Sequence, residues 1–222
     1  MTKSEEALAK LLEERLRPGA DVHEVDGRIL RLFGERWCVV FTDMAGFSRR
    51  AARSGIIPFL VLIHQLDKIC IPVIQKNAGF LLKKIADSHM ILFRDPKEAL
   101  KACVEMQQAI HRYNETAAEP DQIYLGCGIG FGDVLKLGDE DVYGVEVNFA
   151  AKLGEDLAGP YDIFLTPDAI KAIGSPKSVK FHKVPGGRLG GTKLPYYEAK
   201  YQTTVQQESE KAKAQRGRVR FK

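Results

Sequence analysis

Residues 39–48, VVFTDMAGFS, constrain this chain more than any other stretch. An apolar strand pattern ends at Asp43, and a Gly-containing turn into a helix follows at once. A buried strand that stops there holds the Asp43 carboxylate at a sheet edge, while the N–H groups of Ala45, Gly46 and Phe47 can point at an anion. That geometry suits a divalent metal carrying a polyphosphate. Taken alone, the same run is also the ordinary sequence of a strand followed by a helix N-cap.

The rest of the pattern supplies a context for that aspartate. Ser4 is placed to cap a helix over residues 4–16 with a stripe of Leu8, Leu11, Leu12 and Leu16. A second helix is expected over 22–33, leading into a strand at 37–42. A long apolar helix over 57–75, kinked at Pro72, ends at Asn77, Ala78 and Gly79. Strands at 80–85 and 89–93 flank a tight connection that contains Asp87. The helix over 96–113 has Asp95 as cap, Pro96 at its first position, Glu98 for a capping box, and Leu100, Cys103, Met106, Ile110 and Tyr113 at helical spacing. A strand at 123–131, a turn at Gly132 and Asp133, and a strand at 134–137 precede a helix over 145–157. Strands at 163–166, 179–184 and 196–201, with a short helix from Pro167, complete the order. The Gly-rich segment 186–191 has neither a following helix nor a Lys-Ser/Thr pair, and reads as a flexible hairpin.

This alternation predicts a ferredoxin-like α+β fold, an antiparallel sheet with helices on one face. At 222 residues and 45% apolar content, one domain accounts for the chain. Its expected organisation is a helical extension at 1–35, a main domain at 36–201 and a basic tail at 202–222. Residues 203–222 hold six Lys or Arg against two Glu, which leaves residues 1–202 balanced at 27 against 27. Outside that tail, basic residues are not interleaved with aromatics as a nucleic-acid surface requires.

Cys38, Cys70, Cys103 and Cys127 sit singly in apolar stretches, which is the pattern of buried thiols in a reducing compartment. His23, His64, His89, His111 and His182 lack metal-ligand spacing; His89, two residues from Asp87, shares its face only if the hairpin is regular. The apolar run at 55–63 is broken by Pro58 and is too short to span a bilayer, so a cytoplasmic protein without a membrane span is expected.

Asp87, 44 residues after Asp43, is a second carboxylate at a strand end, and a ferredoxin-like sheet brings the two together. Paired hard oxygen ligands want Mg²⁺ or Mn²⁺, and two such ions could clamp a triphosphate. Asn148 and Lys152 are four apart on a predicted helix, where an amide and a cation on one face could orient a ribose and neutralise charge on a phosphorus in transit.

VVFTDMAGFS, KKIADSHM and DVYGVEVNFAAKLGED, in this order and spacing, resemble the three signature stretches of the class III nucleotidyl cyclase catalytic domain. The resemblance covers roughly residues 36–200. It implies that Asp43 and Asp87 bind two metal ions with the Met44 carbonyl as a further ligand, that Asn148 orients the ribose, and that Lys152 stands where the family usually has arginine. Lys83 and Asp141 match the base-selecting positions in the adenylate form. Lysine can donate to adenine N1 and aspartate can accept from N6, whereas Asp141 would repel guanine O6. What it implies is an adenylate cyclase making 3′,5′-cyclic AMP and pyrophosphate from ATP, with sites shared across a two-fold homodimer. Two departures are evident. Lys152 lacks arginine's planar fork, and Ala86 stands where the family commonly has glycine. They leave a weak or inactive nucleotide-binding regulatory module, or a guanylate cyclase, as alternatives. A regulator would act through the N-terminal extension, the tail or a partner.

Overall fold

The computed structural model describes residues 2–46, 55–186, 189 and 194–201. In chain order these form α1 (Lys3–Arg15), α2 (Val22–Phe33), β1 (Gly34–Met44), α3 (Ile56–Lys76), β2 (Phe80–Ile85), β3 (Ser88–Phe93), α4 (Pro96–Asn114), β4 (Leu125–Leu137) and β5 (Asp141–Tyr143). Then come α5 (Val145–Ala151), which continues as a π turn (Lys152–Leu157), β6 (Ile163–Leu165), α6 (Pro167–Ile173), β7 (Val179–Lys183) and β8 (Tyr197–Tyr201). One eight-stranded sheet runs β2-β3-β1-β4-β6-β8-β7, with β5 paired to β4.

Its heart, β2-β3-β1-β4, is the expected ferredoxin-like arrangement and is wholly antiparallel. The chain then adds a parallel β4–β6 pair, which returns β6 to the sheet beside β4. Helices α3, α4 and α6 cover one face through a core that includes Leu66, Ile74, Met106, Ile110 and Ile129. The other face is not bare: α5 and the π turn lie on it, around Trp37, Val39, Phe41, Met90 and Leu92. Helix α5 follows β5 on the far side of β4, so this one helical element departs from the one-sided layout.

The two faces are built differently. On the side of α3 and α4, large aliphatic side chains interdigitate. On the α5 side, β4 presents Gly126, Gly128, Gly130 and Gly132 at a spacing of two, and thus all to one face. A Cβ on Gly128 would stand 2.2 Å from the Ala150 carbonyl oxygen and 2.4 Å from the Gly154 nitrogen; on Gly130 it would stand 2.5 Å from the Glu146 carbonyl oxygen. Gly154 reciprocates, since its Cβ would meet the Phe41 carbonyl oxygen at 2.5 Å. Helix backbone therefore rests directly on strand backbone. The same glycines explain why β4 runs unbroken to Leu137, where a turn at Gly132 and Asp133 is expected from local composition. Gly132 is there to admit the Glu146 side chain, whose Cγ would lie 2.8 Å from a Cβ at that position.

Local chemistry departs from expectation at several ends. Thr2, not Ser4, caps α1, in a reciprocal box with Glu5. Only Leu11 of the leucine stripe is fully buried, while Leu12 and Leu16 are exposed. Helices α1 and α2 pack through Leu11, Val25, Ile29 and Phe33 onto Leu137 of β4 in the same chain. Asp95 caps α4 by accepting from the Lys97 N–H at 2.8 Å, and Glu98 pairs with Lys101 instead of closing a box. Helix α3 continues through Pro72 to Lys76, and at 21 residues it is, by length and composition alone, long and apolar enough to cross a membrane. That corrects the shorter run expected from sequence. Leu62, Leu66, Cys70 and Ile74 nevertheless tie it to the sheet as a core helix. The four cysteines are buried free thiols.

Candidate active site

Alternation along β1 assigns its side chains to faces. Cys38, Val40 and Met44 belong to the core under α3 and α4, whereas Trp37, Val39 and Phe41 belong to the α5 side. Asp43 therefore emerges on the α5 side, at the last turn of the pleat before the chain leaves the sheet. Along β3, Met90 and Leu92 share that side, and Ser88 follows the same alternation. The Ser88 hydroxyl donates to Asp43 Oδ1 at 3.0 Å, across the strand pair that places Thr42 opposite His89.

Asp87 stands in the two-residue connection of the β2–β3 hairpin and faces Asp43. Burial first, and then the neighbouring Asp43 charge, push the Asp87 carboxyl up to about 6. Burial also raises Asp43, opposed by the Ser88 hydrogen bond. Two half-buried carboxylates held side by side destabilise each other's charged forms, and a hard cation between them relieves both. The chemistry of the Asp43 and Asp87 carboxylates thus fits a divalent cation. Among the described residues, no group of three or more His, Cys, Asp or Glu side chains is arranged as a metal cage.

The turn that delivers Asp87 is strained. Ala86 has φ +52°, a left-handed conformation that costs an alanine about 1 kcal/mol relative to glycine. The hairpin is also irregular: its register shifts between Leu81 and Lys83. Leu81 opposes Ile91 of the α3-side core, but Lys83 opposes Met90 of the α5 side. Simple alternation would have put Leu81 and Lys83 on one face, so the bulge at Leu82 re-aims Lys83. There Lys83 Nζ meets Asp141 Oδ2 of β5 at 2.8 Å. The family resemblance implies that these two residues act together, but the sequence gave no sign of the bulge that brings them into contact.

His89 goes the other way. It turns beneath α3, 2% exposed, with Nε2 at 2.8 Å from Asp67 Oδ1, while Lys84 holds the other Asp67 oxygen at 2.8 Å. Burial lowers the His89 pKa against the pull of Asp67. It does not share the face of Asp43.

Asn148 and Lys152 are both exposed on the outer side of α5, whose Val147 and Ala150 press on the sheet. Lys152 begins the π turn and is ion-paired with Asp156 four residues on. A π turn carries one residue more than an α turn, and here it brings Gly154 down onto Phe41 and Glu155 toward Asp43. Partial burial, and then the Asp43 charge, raise the Glu155 pKa. Sequence reasoning missed Ser88 and Glu155; the only available signal was their adjacency to Asp87 and Lys152.

The turn after Asp43 differs from expectation. The Ala45 N–H is occupied by the Tyr124 carbonyl at 2.7 Å and does not point at an anion, because β4 begins alongside it. Gly46 takes φ +76°, the left-handed conformation that reverses the chain, and Phe47 lies outside the described residues. An open cavity of about 500 Å³ lined by Leu30, Arg36, Asp133 and Tyr143 lies at the opposite end of β1 and takes no part in this constellation.

No family model matches the chain. Over 101 residues it is 28% identical to the serine/threonine-protein kinase pkn2 of Myxococcus xanthus, a match covering 46% of this chain and 12% of that protein. Over 160 residues it is 27% identical to the adenylate cyclase of Anabaena cylindrica, covering 64% of this chain and 32% of that protein. The chain thus spans a third or less of the length of these curated relatives. Among solved structures it is similar to the guanylyl cyclase Cya2, with a TM-score of 0.65 at 19% identity over 77% of this chain and 94% of that one. The chain has the fold of a class III adenylate/guanylate cyclase catalytic domain.

Proposed function

We propose that this chain is an adenylate cyclase that converts ATP to 3′,5′-cyclic AMP and pyrophosphate. The observation that carries the reading is the convergence of Asp43 and Asp87 on the sheet face that also holds α5, with Asn148 and Lys152 exposed on the helix's outer side. Asp43, Asp87 and the Met44 carbonyl would hold Mg²⁺ or Mn²⁺, two ions per site. When bound, such ions acidify the ribose 3′-hydroxyl and offset the triphosphate charge. Lys83 donates to adenine N1 and Asp141 accepts from N6, so their mutual ion pair opens to admit the base. Asn148 orients the ribose, and the Lys152 ammonium meets the negative charge that grows as the α-phosphorus is attacked.

The outer face of α5 leaves Asn148 and Lys152 open to solvent. A two-fold homodimer that sets this face against the partner's metal aspartates contains two complete sites. On this reading residues 36–201 are the catalytic domain, 1–35 a helical extension and 202–222 a tail open to a regulator. Buried free thiols suit a reducing, cytoplasmic setting.

Two observations favour a second reading, a weak or inactive nucleotide-binding module: Lys152 is already paired with Asp156, and the strained Ala86 turn carries Asp87. Incubating the pure protein with ATP or GTP and Mn²⁺ or Mg²⁺, with products identified by mass, separates the two. Cyclic AMP is the expected product. No product from a folded dimer supports the binding module, and cyclic GMP as the main product overturns the roles of Lys83 and Asp141. Asp43→Ala and Asn148→Ala proteins, each inactive, should regain activity when mixed and allowed to exchange subunits. No recovery from demonstrated mixed dimers rules out shared sites.

A further inference from the structure

The edge of β4 that faces away from β1 is paired in two places and open between them. Strand β6 covers it at 127–129 and β5 at 135–137, and among the described residues no strand takes up 130–134 on that edge. An open edge inside a fold needs another partner for its N–H groups. Glu146, in the first turn of α5, supplies one: its Oε2 accepts from the Phe131 N–H at 2.9 Å. The same oxygen accepts from the Thr166 hydroxyl at 2.7 Å, and Thr166 is fully buried where β6 hands over to α6. Thr166 Oγ1 also caps α6 by accepting from the Ala169 N–H at 3.3 Å. One carboxylate oxygen thus ties α5, β4 and the start of α6 together.

The strand is shaped for this side chain. A Cβ on Gly132 would stand 2.8 Å from Glu146 Cγ, and one on Gly130 would stand 3.1 Å from Glu146 Oε2. Gly128 and Gly154 set how closely α5 approaches the sheet, but close packing has no preferred direction, whereas a hydrogen bond does. Glu146 therefore gives the first turn of α5 its direction. Asn148 follows two residues later and Lys152 six, so the seat of that turn decides where both are presented. We propose that Glu146 is a positioning residue: its carboxylate seats α5 in the open edge of β4 and thereby sets where Asn148 and Lys152 stand. The kinetic consequence rests on the cyclase reading above; the seat itself does not.

The test uses the full chain with two measurements, amide hydrogen exchange by mass spectrometry and steady-state turnover of ATP with Mn²⁺. In Glu146→Ala, residues 145–151 should exchange about tenfold faster while α4 keeps its protection, because the Phe131 N–H and the Thr166 hydroxyl lose their acceptor. Its kcat per folded molecule should fall at least about tenfold with KM for ATP within about threefold, since Asn148 and Lys152 act on the reacting centre. Glu146→Gln keeps an oxygen for both donors and should retain kcat within about threefold. Thr166→Val should follow the alanine variant part of the way, and Thr166→Ser should restore both readouts; this pair carries the test if Glu146→Ala does not fold. Wild-type exchange of α5 in a folded Glu146→Ala overturns the proposal. So does an α5 that loosens while kcat per folded molecule stays unchanged, or a Gln variant as impaired as the Ala variant. A wild type that forms no cyclic nucleotide overturns the proposed function instead, and the exchange comparison then decides alone whether Glu146 seats α5.

Discussion

The two faces of the sheet solve the same packing problem in opposite ways. Under α3 and α4, the helices stand off on a layer of Leu66, Ile74, Met106 and Ile110, all fully buried. Under α5, beside the side chains of Val39, Phe41 and Val147, Gly128 and Gly154 let helix and strand backbones touch. A layer of flexible side chains can repack around an error, whereas two backbones in contact have nothing to yield. The face that carries Asp43 and α5 is therefore the less forgiving one, and the difference can be measured.

The largest effect should come from Gly128→Ala. One added methyl would stand 2.2 Å from the Ala150 carbonyl oxygen, so α5 must lift, at a cost of about 3 kcal/mol or more. Leu66→Ala on the other face removes three carbons and should cost a similar amount, about 3 kcal/mol. Urea unfolding gives both numbers. The comparison is then sharpened by product formation per folded molecule, which should collapse for Gly128→Ala and survive for Leu66→Ala. Equal loss in both would show that the glycine contact does not position α5.

Asp87→Asn should act in the opposite direction. The folded-state pKa of Asp87, about 6, lies above its ordinary value near 3.8. The folded metal-free protein thus binds a proton that the unfolded chain has lost, and its stability declines as pH rises through that interval. Replacing the carboxylate by an amide removes this part of the slope and should raise the metal-free melting temperature at pH 7.5 by about 4 °C, while abolishing Mn²⁺ binding. A lower melting temperature would mean that Asp87 serves packing first.

Ala86→Gly should give the smallest change, a gain of about 0.5–1 kcal/mol from relief at φ +52°. The core face offers no equivalent, because removing a methyl from Ala102 or Ala99 there leaves a gap.

The same contrast marks how far the sequence could be read. The face packed by side chains announces itself, since Leu100, Cys103, Met106 and Ile110 repeat at helical spacing and α4 begins where Asp95 and Pro96 predict. The juxtaposition of Asp43 and Asp87 was also legible, because it follows from strand order alone. What escaped was fixed by contacts between distant segments. The glycines of β4 look like turn residues until α5 is seen on top of them. The bulge that turns Lys83 to Asp141 leaves no local mark, and neither does the extra residue of the π turn that seats Gly154 on Phe41. The Ala45 amide is taken by Tyr124, a partner 79 positions away whose approach no turn propensity encodes.

Gly154 lies against the Phe41 carbonyl, two residues before Asp43, and two residues after Lys152. With no side chain between them to act as a bearing, the strand and the helix cannot slide or tilt independently. The proposed half-site on Asp43 and the proposed half-site on Asn148 and Lys152 would then move as one lever within each chain. On the proposed shared-site reading, a signal that sets the rate would have to turn one whole chain against another.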